Sequence, residues 1–469
     1  MKNFFKKNSV FKVICLTILV VCLLTWILIT KEFNGAAELV KGERAQVGLS
    51  TFLNYLTAVP QNFGYVPIYL IVVGGFYGVL YKTNGYRNLL EKTAEKYSGS
   101  EWIYLVIEMI IVSVIASVTG FDLGLVVLFP LIFAQLLLMG YSKITAVMAT
   151  VGSVAVGIFA STYSYAENIQ IAYETLTLTP HNNIFAKIIL FILALGLLIL
   201  NVLLYAKKHK ISSPRKGYIY PETNDKKAKS WPVTLTLVIT FVVIVLASIP
   251  WAGTFNINLF NDIFEKINTY EIAKFPIINK LFGSLTAWGQ WSYTNVTVFL
   301  LVMSAVVAIL GKVKFDDFVE GFAAGAQKAL RPAICTIFAL SLVYIAFYHG
   351  ILYTIIGPIL GITKEFNVIT MSIASMIIHF MYVVPNYAAY YVLGYPVALF
   401  TNAKVYGVMQ IVFQAAYGLT VLFVPTSLVL VSTLSYSKVS YGKWFKAIWK
   451  LLLELFVLLI VFGLILLAI

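Results

Sequence analysis

Charge is what this sequence has least of. Asp, Glu, Lys and Arg make up 12% of its 469 residues and hydrophobic residues 60%, whereas ordinary globular domains carry about a quarter charged. With a mean hydropathy of +0.88, that balance excludes a water-soluble enzyme or nucleic-acid binder. Cysteine is scarce too: Cys15, Cys22 and Cys335 all lie inside apolar runs, which leaves no disulfide framework and no metal-ligand cluster. No nucleophile–base pair is visible, so a non-enzyme without a resident cofactor or metal is expected. The pattern G-x-x-x-x-G-K-[ST] does not occur, which removes the phosphate-cradling loop of an ATP-driven machine. The short alternating segments of a transmembrane barrel are missing as well.

What remains are apolar runs of roughly 17 to 25 residues, each long enough to cross hydrocarbon. They recur along the chain, so the expectation is an all-α polytopic membrane protein in the plasma membrane. Its net charge of +14 then reflects Lys and Arg gathered in inner loops. Residues 13–29 follow a start containing Lys2, Lys6, Lys7 and Lys12, and the run is too long for a cleaved leader. A first span with a cytoplasmic N-terminus is predicted. Residues 31–67 read as a polar outer segment, and Gly74, Gly75 and Gly78 as close-packing positions on the next span. Residues 207–229 hold eight Lys or Arg against two acids and belong inside. This basic loop, 207–230, separates a half of 1–206 from a half of 231–469. In the second half, Asn295 opens a sequon at the predicted start of a span. Residues 311–332 read as an amphipathic segment along the inner interface, with Phe315, Phe318 and Phe322 on one face, ahead of a span over 333–350.

Each half contains apolar stretches that break. Residues 102–139 are divided by Thr-Gly-Phe-Asp at 119–122 and read as a re-entrant hairpin; two complete spans would return the chain to the same side. Residues 144–178 form a helix broken by the polar run 161–168. In the second half, 368–400 is a hairpin divided near Pro385, and 404–436 a helix broken at Gly418, Thr420, Pro425, Thr426 and Ser427. Pro425 removes an N–H and clashes with the preceding turn. Freed backbone groups at membrane depth must face protein, water or solute, because lipid offers no partner. Either break alone could be a kink lined by small residues for helix packing. Two hairpin-plus-broken-helix units entering from opposite faces are the pattern of a secondary transporter.

Three stretches, VVGGFYGVLYKTNGY, GKVKFDDFVEGFAAGAQKAL and VPTSLVLVSTLSYSKVSYGKW, resemble in order and spacing the YfcC-type branch of the C4-dicarboxylate anaerobic carrier (DcuC-like) family, in the ion transporter superfamily. The resemblance runs from Phe11 to the end. It implies a carrier with two inverted repeats, moving basic amino acids, C4-dicarboxylates or short fatty acids, and it suggests a homodimer by analogy. The departures fall at the expected ligands. Gly124 and Leu125 stand where the family has paired glutamates, and Tyr163 to Tyr165 follow Ser161–Thr162 in place of Asn-Pro. Pro385–Asn386–Tyr387 replaces a Ser/Gly-rich tip, and Tyr417 stands at an acid position beside Gly418, with Pro425–Thr426–Ser427 kept.

Acids inside spans mark pathways by default. Glu108 is read as proton-linked or as a structural acid bonded to a hydroxyl such as that of Ser113, and Asp122 as a ligand or a helix cap. Glu167 coincides with a break and is the sharpest candidate for a proton carrier or cation ligand. Thr119, Ser161, Thr162, Ser164, Thr420, Thr426 and Ser427 supply hydroxyls for Na⁺ or for a substrate carboxylate, although each alone is commonly a back-bonding helix residue. His379 and Asn386 frame the second hairpin, His379 as a packing or a proton-linked residue. Tyr163, Tyr165, Tyr387 and Tyr417 offer either cation–π contact or mere volume. No Lys or Arg lies in the middle of a hairpin or broken helix. The reading is therefore a secondary transporter of a small organic solute, an amino acid first and basic ones among them, coupled to H⁺ or Na⁺ or to exchange. A C4-dicarboxylate or short-chain carboxylate carrier is the alternative within transport. A non-transporting sensor or inert paralogue is the rival of another class.

Overall fold

The computed structural model describes residues 10–35, 38–42, 46–163, 167–179, 181–210, 229–272 and 274–469, with backbone only for 167–170. Among them are eight helices long and apolar enough to cross a membrane, or ten if each of two bent pairs is one span. The chain is an all-α polytopic membrane protein. Its one sheet among the described residues is a two-stranded hairpin, β1 (Lys31–Phe33) against β2 (Leu39–Lys41), with Lys31 opposite Lys41.

In the first half, α1 (Val10–Ile27) precedes the β-hairpin, and α2 (Leu49–Phe63) bends by 65° into α3 (Tyr65–Tyr81). The region expected to be a polar outer segment thus contains a helix, because α2 buries Val59 and Phe63, four residues apart on one face, and packs against the helix called α15 below. α4 (Asn84–Lys96) follows, with the Thr83 side chain accepting from Tyr86 N–H as its cap. α5 (Glu101–Thr119) stops at Gly120, left-handed at φ 73°, a conformation in which glycine ends helices without a Cβ clash. A 3₁₀ turn (Leu123–Leu128) then leads into α6 (Phe129–Leu138). α7 (Lys143–Phe159) and α8 (Glu167–Thr175) flank residues 160–166, and α9 (Ile184–Lys208) closes the half.

In the second half, α10 (Trp231–Ser248) leads to three short helices, α11 (Trp251–Phe255), α12 (Leu259–Thr269) and α13 (Ile277–Phe282). α14 (Tyr293–Leu310) opens on a capping box in which Ser292 and Asn295 bond reciprocally. α15 (Phe315–Tyr348) and α16 (Ile351–Leu360) precede α17 (Val368–Met381), which turns by 120° into α18 (Pro385–Val392) and α19 (Gly394–Leu399). α20 (Tyr406–Phe423), α21 (Leu428–Ser437) and α22 (Tyr441–Ala468) complete the chain.

One packing scheme occurs twice. α5 lies on α7 and α7 on α9, just as α17 lies on α20 and α20 on α22. The two halves meet where α7 packs on α20. There a Cβ on Gly418 would stand 2.4 Å from the backbone nitrogen of Phe159, so only glycine permits the approach. The tightest seam lies outside this core, between α3 and α15. A Cβ on Gly78 would be 2.0 Å from the Gly321 carbonyl, and one on Gly325 2.1 Å from that of Gly74. Both helices use glycines four apart to bring their backbones together. This corrects the expectation of a separate interfacial segment at 311–332. Gly321 and Gly325 dock that stretch onto α3, and α15 continues unbroken for 34 residues through Pro332.

Candidate functional site

A cavity of about 270 Å³ lies where five pieces of chain meet. The α2–α3 bend supplies Asn62 and Tyr65, and the tip after α5 supplies Asp122 and Leu123. The start of α14 brings Ser292 and Tyr293, and the turn into α18 brings Pro385, Asn386 and Tyr387. Leu428, the first residue of α21, completes the wall. Asp122 is the one charged residue among those that line it.

Asp122 is 5% exposed and accepts three hydrogen bonds. Its Oδ1 takes Leu123 N–H at 2.5 Å and the Tyr293 hydroxyl at 2.9 Å, and its Oδ2 takes the hydroxyl of Tyr417. It caps the 3₁₀ turn and at the same time joins the turn after α5, a helix long enough to cross a membrane by itself, to α14 and to α20. Aromatic rings surround it. Tyr65 and Tyr293 stack at 5.8 Å and 18°, and Tyr387 packs on Phe63 at 5.5 Å. α18 also begins at the cavity, with the Asn386 side chain accepting from Tyr387 N–H at 3.0 Å. A helix N-terminus carries a partial positive charge. The lining thus combines a carboxylate, aromatic rings and the first turn of a helix.

Of the residues singled out in the sequence, Asp122 and Asn386 line the cavity, and Ser427 caps α21 beside it through Leu430 N–H at 3.4 Å. Ser161 and Thr162 are engaged elsewhere. Both hydroxyls donate to the Ser117 carbonyl at 3.3 Å, and Thr162 N–H donates to it at 3.0 Å. They pin the first break to α5. Thr119 back-bonds to the Ile115 carbonyl at 2.7 Å and Thr420 to that of Tyr417 at 2.7 Å. Gly418 serves the α7–α20 contact. Pro425 is half-buried at the second break, where the Thr426 Oγ1 is buried without a partner. His379 contacts the Phe413 carbonyl through Nε2 at 3.2 Å, and its ring centre lies 5.0 Å from that of Tyr417. Of the two readings of Glu108, the bond to Ser113 is absent among the described residues. Both carboxyl oxygens of Glu108 and the Ser113 hydroxyl are buried with no partner among the described residues, because neighbours five apart on a helix do not share a face. Ser164, Tyr165 and the side chain of Glu167 lie outside the described residues.

Several residues of this site carry no sequence signal of their own. Tyr65 and Tyr293 sit at helix starts, where tyrosine is ordinary in membrane proteins. Tyr163 packs on His181 and Phe255 rather than at the cavity. Lys187 is a buried cation in α9, donating to the Tyr173 hydroxyl of α8 at 3.1 Å; it is not among the cavity's lining residues.

Residues 39–469 match the family model of the C4-dicarboxylate anaerobic carriers. No curated protein matches the sequence. Among solved structures, the chain is similar to the Alcanivorax borkumensis YdaH transporter, whose crystal structure is described as having an unusual topology. The two are 14% identical over 98% of this chain and 97% of that one, with a TM-score of 0.41, too low for the likeness to carry any argument here.

Proposed function

The chain belongs to the C4-dicarboxylate anaerobic carrier family, and from that premise we propose that this membrane transporter carries an amino acid, zwitterionic or basic. The observation that carries the reading is Asp122, the one charge among the described residues that line the cavity. A substrate ammonium is attracted by that carboxylate and by the faces of Tyr65 and Tyr293, while a carboxylate group is attracted by the first turn of α18. A C4-dicarboxylate, the cargo in the family's description, would bring two negative charges to a cavity that already holds one and lines itself with no cation among the described residues. The plasma membrane is the proposed location, with the end carrying Lys143, Lys210 and Lys438 inside. The proton is the proposed coupling ion, because Glu108 is a buried carboxyl in a spanning helix with no partner among the described residues, a functional position by default.

Uptake into proteoliposomes under imposed H⁺ or Na⁺ gradients tests this. Lysine, arginine or alanine should accumulate with an acid exterior, and succinate should not. Faster movement of succinate than of any amino acid would refute the cargo. Movement of neither class in either gradient would favour a sensor or inert protein.

A further inference from the structure

A second cavity, of about 430 Å³, lies at the basic end of the bundle, between α15 and α6. Four cations from three helices converge on it: Lys143 at the start of α7, Lys328 and Arg331 three residues apart on α15, and Lys438 just after α21. None of its described lining residues is acidic. The contrast with nearby cations is informative. Lys82 pairs with Glu320 at 2.7 Å and Lys210 with Glu101 at 3.1 Å, so acids are at hand at this end, but none is among the described residues that line the cavity. Lys143 donates to the Ser437 carbonyl at 3.1 Å, and Lys328 lies 5.3 Å from the centre of the Tyr81 ring, contacts that position the two ammonium groups.

A bias of inner loops toward Lys and Arg accounts for cations spread over a surface. It does not account for four of them gathered around one concavity, where they repel one another. We propose that this vestibule is a binding site for a phosphate-bearing anion, supplied either by the headgroup of an anionic phospholipid or by free phosphate from solution. Arg331 offers the planar fork that fits two phosphate oxygens, and the three lysines supply point charges around it.

Thermal unfolding of the purified full-length protein in neutral detergent, followed by tryptophan fluorescence, tests it. Dioleoylphosphatidylglycerol, phosphatidylcholine and inorganic phosphate are each titrated. A rise in Tm with phosphatidylglycerol but not with the other two assigns the lipid source, and a rise with phosphate as well assigns the free anion. A basic residue near an anionic group contributes about 1 kcal/mol, or roughly fivefold in affinity. The Lys328→Gln/Arg331→Gln variant should therefore need about 30-fold more ligand, and the single exposed variant Lys438→Asn about fivefold more. A Lys92→Gln/Lys96→Gln variant on α4, with equal loss of charge, should stay within twofold of wild type. The proposal is overturned if neither ligand moves the wild-type Tm, or if the α4 variant loses affinity as the vestibule variants do.

Discussion

Asp122→Asn tests the charge of the cargo directly. The substitution keeps side-chain volume and an acceptor oxygen while removing the one charge that lines the central cavity. A substrate ammonium about 4 Å from the carboxylate interacts with about 4 kcal/mol at an effective dielectric near 20, a fit choice for a residue 5% exposed. Truncating one partner of a buried charge pair costs at least about 2 kcal/mol. The two figures bracket the expected fall in kcat/KM for lysine at roughly 30-fold to 1,000-fold. The fold should suffer less. With the amide oxygen at the Oδ1 position, Tyr293 exchanges a charged acceptor for a neutral one, while Tyr417 meets the amide NH2 and must turn its hydroxyl to accept, a loss of about 1 kcal/mol for each bond.

The assay is initial-rate uptake of radiolabelled lysine, alanine and succinate into proteoliposomes, with Tm measured on the same preparations. Both amino acids should lose uptake, since each presents an ammonium group. Any trace of succinate entry should rise, because a repulsive charge has gone. Lysine uptake within threefold of wild type, at an unchanged Tm, would refute the placement of the ammonium at Asp122. A parallel collapse of Tm and uptake would instead make Asp122 a structural cap of the hairpin tip.

Tyr417→Phe removes only the hydroxyl that reaches Asp122. Combined with Asp122→Asn in a double-mutant cycle of thermal or denaturant unfolding, it should give a coupling of about 1.5–3 kcal/mol, as for a hydrogen bond to a charged group; a coupling near zero would refute an energetic link between Tyr417 and Asp122. Gly78→Val places side-chain atoms inside the backbone of α15, which a packed seam cannot absorb. Little monodisperse protein should survive size exclusion, whereas Gly196→Val, at a glycine with open space around it, should behave as wild type. Glu108→Gln keeps shape and removes the proton site. It should leave counterflow exchange within threefold and abolish accumulation driven by an acid exterior, and a retained gradient response would clear Glu108 of coupling.

The helices could be read in the sequence because their signals are local: apolar length, the proline at 425, the glycine at 120 and the serine at 427 act within a turn or two of themselves. The α3–α15 seam was half visible, since Gly74 and Gly78 announced a close approach but nothing near them named Gly321 and Gly325, more than 240 residues on. The central site was least visible for the same reason, as its contacts join chain segments whose register only the tertiary fold sets. Tyr417 makes the point most sharply. Set beside the family pattern it looks like the loss of an acid from the second broken helix, with a ring filling the space. In the folded chain its hydroxyl is bonded to Asp122, 295 residues away in the other half. A carboxylate is therefore present where α20 meets the turn after α5, and residue 417 is bonded to it. A departure that looks like a loss in sequence is one partner of a hydrogen-bonded pair, and a cargo recognised through that pair need not be the one the family is named for.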